Sequence, residues 1–129
     1  MAWEAYITSN LMAPVDSEGN TLDSAAILGL DGSVWASSAK FDMTAEDTPT
    51  FIAAFDNPAI TSVLSGGAKY MKIMADERIF RGRKEKSGFI ARKSAQCVIV
   101  GFYTDPPVSA PTCAKVVEAL ADFLEEQGY

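Results

Sequence analysis

Gln96-Cys97-Val98-Ile99-Val100-Gly101-Phe102, the centre of a run from Ala95 to Tyr103, is almost unbroken apolar sequence. A strand with one wet face alternates apolar and polar residues. A run without alternation suits a central strand covered on both sides. Three more strand-like runs lie just upstream: Lys69-Tyr70-Met71-Lys72-Ile73-Met74, Ile79 to Arg83, and Gly88-Phe89-Ile90-Ala91-Arg92, with Asp76-Glu77 at the first turn. Links this short favour antiparallel neighbours, because a parallel crossover needs a dozen or more residues.

Working outward, Ala25-Ala26-Ile27-Leu28-Gly29-Leu30 reads as a buried strand, Asp31-Gly32 as a tight turn, and Val34-Trp35-Ala36-Ser37 as the returning strand of a hairpin. Thr44 to Asp47 opens a helix, with Thr44 as N-cap and Asp47 three residues later in the pattern of a capping box. Phe51, Ile52 and Phe55 form its apolar face, Asn57-Pro58 ends it, and Gly66-Gly67 marks another turn. At the ends, residues 2 to 12 form a short amphipathic helix stopped before Pro14. Pro111 starts a last helix whose Val116, Val117, Leu120 and Leu124 share one stripe, and Gly128 stops it. The order is helix, two strands, helix, four or five strands, helix. That order predicts an α+β fold with a central antiparallel sheet, the first and last helices sharing one face of it.

The 129 residues are expected to form a single domain, 1–129, large enough to fold without disulfides or metals. The N-terminus lacks the pattern of a signal peptide, and no apolar run approaches the roughly 20 residues needed to span a bilayer. Cys97 and Cys113 are too few and too far apart for a disulfide framework or a zinc site, so both are expected to be buried free thiols of a cytoplasmic protein.

Enzymatic chemistry finds little purchase. The chain has no histidine, the commonest general base and metal ligand. Gly66-Gly67 lacks the spacing of a phosphate loop, and the acids of Asp16/Glu18 and Asp76/Glu77 sit in polar turns where solvated carboxylates are the rule. Without an imidazole partner, Cys97 is no nucleophile. The weight moves to a binding module with no enzymatic activity, no metal and no cofactor.

Two features could bind. Trp3 and Tyr6 lie side by side on the first helix, with Asn10 extending their row and Ile7 and Leu11 to one side. If the first and last helices lie together across the early hairpin, Trp3, Tyr6, Trp35, Phe123 and Tyr129 converge. A trough of such rings suits a proline-rich peptide, whose pre-extended PPII helix leaves its carbonyls free to accept hydrogen bonds. The alternative is that Trp35 and Phe123 are core and Tyr129 is frayed. The second feature is charge. Residues 69 to 93 hold nine of the eleven basic groups against three acids, a local +6 in a chain of −6, which leaves −12 to the rest. Such a face suggests an acidic partner; the alternative is Lys and Arg guarding sheet edges. Nucleic acid is disfavoured by the overall charge, and Tyr70, Phe80 and Phe89 fit the inward rhythm of a sheet better than base stacking.

Taken together and in order, several stretches resemble the profilin family along the whole chain, most closely its amoeboid and plant-like branch. They are Trp3-Glu4-Ala5-Tyr6-Ile7 with Leu11-Met12, the hairpin Ala25 to Gly29 with Asp31 to Ala36, Gly66 to Tyr70, Ala75 to Arg78, Gly82-Arg83-Lys84, Val116 to Leu124, and Gln127-Gly128-Tyr129. The resemblance implies a central antiparallel sheet with the terminal helices on one face and short helices on the other. It implies a binder of monomeric actin that also takes proline-rich partners and anionic phosphoinositides. The aromatic groove maps to Trp3, Tyr6, Trp35, Phe123 and Tyr129, and the actin face to Lys69, Lys72, Met74, Arg83, Lys84, Lys86, Lys115 and Glu118. The alternative of another class is a phosphoinositide-regulated membrane-surface adaptor of the same fold with weak or no actin binding. Three departures from the family pattern stand out. Thr8 replaces an acidic or amide residue. Met74 holds a position that is often basic. Phe123 replaces Tyr or His, removing one donor, so peptide binding is expected to be kept but weakened.

Overall fold

The structure is a computed structural model and describes residues 3–129. Ala2, expected to open the first helix, lies outside the described residues. Helix α1 (Trp3–Tyr6) runs directly into a π-helical turn, Ile7–Leu11. Strands β1 (Ser24–Gly29) and β2 (Val34–Ser37) form the hairpin, followed by α2 (Asp47–Ala53). Five strands follow: β3 (Ser62–Ser65), β4 (Ala68–Ala75), β5 (Ile79–Lys84), β6 (Ser87–Lys93) and β7 (Cys97–Thr104). Helix α3 spans Ala110–Glu126. The seven strands form one sheet in the order β2-β1-β7-β6-β5-β4-β3, antiparallel at every pairing.

The expectation for β7 holds. Cys97, Ile99 and Tyr103 are buried under the terminal helices, while Val98, Val100 and Phe102 are buried on the other face. The first layer packs Ile7, Leu11, Cys113, Val117, Leu120 and Leu124 against the sheet. The second gathers Phe51 and Phe55 of the α2 segment around Phe80, Phe89 and Tyr70. Each fully buried Leu, Val or Phe adds about 1.5–3 kcal/mol of transfer free energy, so the two layers dominate the stability. Helix α3 approaches closely because β7 carries Gly101 beneath it. A Cβ there would lie 2.7 Å from Leu22 Cδ1 and 3.0 Å from Val117 Cγ2.

Local signals were accurate at the start of α3 but early at α2, which begins at Asp47 with Glu46 as its N-cap residue, while Thr44, expected as the N-cap, lies in the turn before it. Thr44 Oγ1 accepts from the Asp47 N–H at 3.2 Å while Asp47 Oδ2 accepts from the Thr44 N–H at 3.1 Å, the reciprocal pair of a capping box. Ser109 caps α3 by accepting from the Thr112 N–H at 3.3 Å, with Pro111 in the first turn. Two features went unread. Strand β3 is only four residues long and half polar, too short to show alternation. The first helix widens into a π-turn, closed by the Met12 N–H donating to the Ile7 carbonyl at 2.8 Å. Ile7 and Leu11 both remain on the buried side of that turn.

Part of the basic segment is tied into the fold. Arg92 is buried and bonds Asp122 at 3.0 Å and Glu125 at 3.1 Å, and Glu125 also pairs with Arg78 at 2.5 Å. These pairs fasten the β4–β5 turn and β6 to the last two turns of α3.

Both cysteines are free and buried. Burial raises the thiol pKa of each, and pushes Cys113 from 9.0 up to about 12. The fold therefore favours the protonated thiol. That contribution is complete below the ordinary thiol pKa and is lost as the pH rises through 9 toward 12. Urea unfolding between pH 8 and pH 11 should show the wild type losing on the order of 2–3 kcal/mol more than Cys113→Ala, which has no thiol to ionise. Parallel losses in the two proteins would contradict this account.

Candidate functional site

The aromatic residues are placed by three elements. Ile7 and Leu11 sink into the core and hold the first helix, leaving Trp3 and Tyr6 half-buried above them. Trp35 projects from β2, with its indole edge over Gly29, where a Cβ would lie 2.8 Å from Nε1. Phe123 stands 43% exposed on α3, one position off the buried stripe. Tyr129 folds back beyond Gly128, which adopts φ +93°. The Tyr129 N–H donates to the Leu124 carbonyl at 2.8 Å, and its main-chain oxygen accepts from Ser94 Oγ at 2.8 Å and from the Gln96 N–H. The last ring is thus tied to the β6–β7 turn and is not frayed.

The five rings meet. Trp3 lies 4.8 Å from Trp35, 5.9 Å from Tyr6 and 5.1 Å from Tyr129, the last edge-on at 83°; Tyr6 lies 6.0 Å from Phe123. These tilted and edge-to-face contacts are the favoured geometries for aromatic pairs. They form a continuous, partly open aromatic surface rather than a closed core. Asn10 is exposed beside it. Thr8 donates back to the Glu4 carbonyl at 3.2 Å, within the helix and away from the rings.

The second cluster is set by strand register. Leu64 pairs with Lys69, Met71 with Arg83, and Met74 with Arg81. Directly paired residues share a face, as do residues two apart. Leu64, Lys69, Met71, Met74, Arg81 and Arg83 therefore line one face of β3–β4–β5. It is the face that carries α3, since Arg81 pairs with Ile90 of the helix-covered layer. A bulge between Lys72 and Met74 makes this possible. It shifts the register so that Met74 joins Met71, while Ala75 pairs with Phe80 in the opposite core layer. Leu64, Met71, Ile73 and Met74 are each more than 40% exposed.

Of the other residues expected on this face, Lys115 and Glu118 line a shallow hollow with Arg81, Pro111 and Asp122 along the flank of α3. Lys72 points to the other side, where its Nζ donates to the carbonyls of Ala54 at 2.8 Å and Asn57 at 3.2 Å beneath α2. Lys84 lies two residues from Gly82, which Phe89 covers on that same far side, and Lys86 sits at the exposed hairpin tip beyond Glu85. Sequence reasoning missed Leu64, Met71 and Arg81. Arg81 was legible as the same-face neighbour of Arg83. Leu64 and Met71 required the pairing register. The Nε of Arg81 is buried without a hydrogen-bond partner among the described residues.

Among the described residues, no group of His, Cys, Asp and Glu could hold a metal ion, and no helix is long and apolar enough to cross a membrane. Asp76, expected as a solvated turn acid, is exposed. Its carboxylate accepts from the N–H groups of Arg78 at 2.7 Å and Ile79 at 2.8 Å, which hold its pKa below the ordinary value.

The chain resembles profilin IB of Acanthamoeba castellanii at 37% identity and a TM-score of 0.86, over 99% of this chain and 100% of that one. It resembles Schizosaccharomyces pombe profilin at 33% identity, with the same TM-score and coverage. More distant chains share the fold. Mouse profilin IIa, in complex with a double repeat from the FH1 domain of mDia1, matches at 16% identity and a TM-score of 0.73 over the whole of both chains. The LokiProfilin2–rabbit actin complex matches at 18% identity and a TM-score of 0.68, over 81% of this chain and 85% of that one. The profilin family model matches residues 1–129, and the chain belongs to the profilin family.

Proposed function

We propose that this chain binds monomeric actin on the β3–β5 face and the adjoining flank of α3, and takes proline-rich segments in the aromatic surface. The observation that carries the second half is the convergence of Trp3, Tyr6, Trp35, Phe123 and Tyr129 within a few ångströms of one another while each stays partly open. A PPII segment lies flat on such rings and loses little entropy, because it is already extended. Phe123 offers no hydroxyl, so the groove has one fewer donor than a tyrosine there would give, a deficit of about 1 kcal/mol.

The first half is supported by family membership and by the mixed apolar and basic character of the β3–β5 face. Exposed apolar side chains rimmed by charge suit a protein partner, and the basic rim suits an acidic one. Lys69, Met74, Arg83, Lys115 and Glu118 make the direct contacts in this reading, with Lys86 at the β5–β6 tip, while Lys72 and Lys84 lie on the opposite side of the sheet and are left out of it. Met74 brings no charge, which weakens the electrostatic share of the contact. With separate surfaces for its partners, one molecule holds both at once and delivers actin monomers to assembly factors in the cytoplasm. Binding alone suffices; no catalysis is involved.

Titration with a poly-proline peptide should change the tryptophan fluorescence, and Trp3→Ala should weaken binding at least tenfold, since buried aromatic anchors dominate such interfaces. An unchanged affinity in that variant would remove the groove. On the other face, Lys69→Glu should weaken actin-monomer binding roughly tenfold while leaving the peptide titration intact; equal actin affinity would count against the assigned face. The exposed Lys69, Arg83, Lys84 and Lys86 also suit anionic phosphoinositide head groups. Co-sedimentation with phosphoinositide vesicles should occur at low salt and fall steeply at high salt. Retention of vesicle binding with no measurable actin binding would instead favour the membrane-surface adaptor.

A further inference from the structure

The chain has five methionines. Met43 is buried at 8% exposure and Met12 is half-buried against the helix-side core. Met71 and Met74 are different, at 49% and 41% exposure. Both lie on β4, and the bulge puts them on one face, Met71 opposite Arg83 and Met74 opposite Arg81. Exposed thioethers oxidise far faster than buried ones. The two cysteines, the other soft nucleophiles, are fully buried with thiol pKa values raised by burial. The most accessible peroxide-reactive sulfur among the described residues is therefore concentrated at one spot on the surface.

We propose that Met71 and Met74 are a reversible oxidation site that switches off binding at the β3–β5 face; this rests on the actin reading given above. Each thioether sulfur attacks the terminal oxygen of a peroxide, the O–O bond breaks, and the products are methionine sulfoxide and water or an alcohol. Sulfur loses two electrons and the peroxide gains them. The change turns a flexible apolar side chain into a polar one with a strong acceptor oxygen. Two such oxygens interrupt the apolar strip formed with Leu64 and Ile73. They also add acceptors opposite Arg81 and Arg83, competing with an acidic partner for those guanidinium groups. Among the described residues the aromatic groove contains no methionine, so the proline-rich partner is retained while the other is released. Sulfoxide reductases, drawing on a dithiol, restore both side chains; each sulfoxide epimer needs its own enzyme.

The test treats the intact protein with hydrogen peroxide and maps the added oxygen by peptide mass spectrometry. Met71 and Met74 should each gain one oxygen before Met43 does. Actin-monomer binding should weaken roughly tenfold, recover after treatment with both reductases, and stay unchanged by peroxide in a Met71→Leu/Met74→Leu variant, while poly-proline affinity stays constant throughout. Peroxide treatment that modifies both residues yet leaves actin affinity intact would overturn the proposal, as would oxidation spread evenly over all the methionines. Failure of the untreated protein to bind actin would instead overturn the reading on which the proposal rests.

Discussion

The burial of β7 on both faces is the constraint on which the rest of the structure depends. Its odd-numbered side chains belong to the layer under the terminal helices and its even-numbered ones to the phenylalanine-rich layer under α2. Once that strand is covered twice, the sheet cannot lie at the surface, and elements must close over each side. Gly101 sets how close α3 comes, since Leu22 and Val117 occupy the space a side chain would take. The position of α3 then fixes two other things. Its C-terminal end carries Phe123 to the first helix, and its N-terminal half brings Lys115 and Glu118 beside Arg81. The two candidate surfaces are thus the two flanks of one helix. Their separation follows from helical geometry, because Lys115, Glu118 and Asp122 recur on one side and Phe123 falls on the other.

The charge distribution is subtler than its sign. A segment at +6 within an acidic chain reads as one positive face, yet Arg78 and Arg92 are paired to the acids of α3, and Lys72 satisfies carbonyls beneath α2. Those three groups brace the fold. The charge offered to a partner is what remains on the open face and at the β5–β6 tip. Surface ion pairs contribute little to stability, but Arg92 is buried, and removal of its partners would leave an uncompensated charge in a poor dielectric.

Much of this was legible in the sequence because the signals were local. The apolar run of β7, the Asp31-Gly32 turn, the Thr44 and Asp47 capping pair and the stripe of α3 each specify a few residues through short-range chemistry, and each is found where expected. Convergence of the rings at positions 3, 6, 35, 123 and 129 was expected from the order of elements, and the distances agree. What the residues could not show was register. Strand β3 was missed because four residues do not establish a period. Met74 could not be placed on the side of Lys69 without knowing that β4 is bulged, whereas Lys72, three residues from Lys69, falls on the opposite side by alternation alone. Met71 reads from sequence as an ordinary strand hydrophobe, and Leu64 belongs to the missed strand; only the pairing places both on the open face. The π-turn after Tyr6 likewise follows from packing of Ile7 and Leu11, not from any residue type with a preference for it.

The bulge in β4 makes the two halves of that strand obey opposite parity. Before it, even-numbered residues face the phenylalanine layer; after it, odd-numbered Ala75 does. The composition of the open face is therefore encoded partly in strand length. Loss of Ile73 would restore simple alternation with Met74 still opposite Arg81 and Ala75 still opposite Phe80, so the strand would lose one exposed apolar side chain and keep the rest in place. The aromatic groove, built on the opposite edge of the sheet, would not register the change.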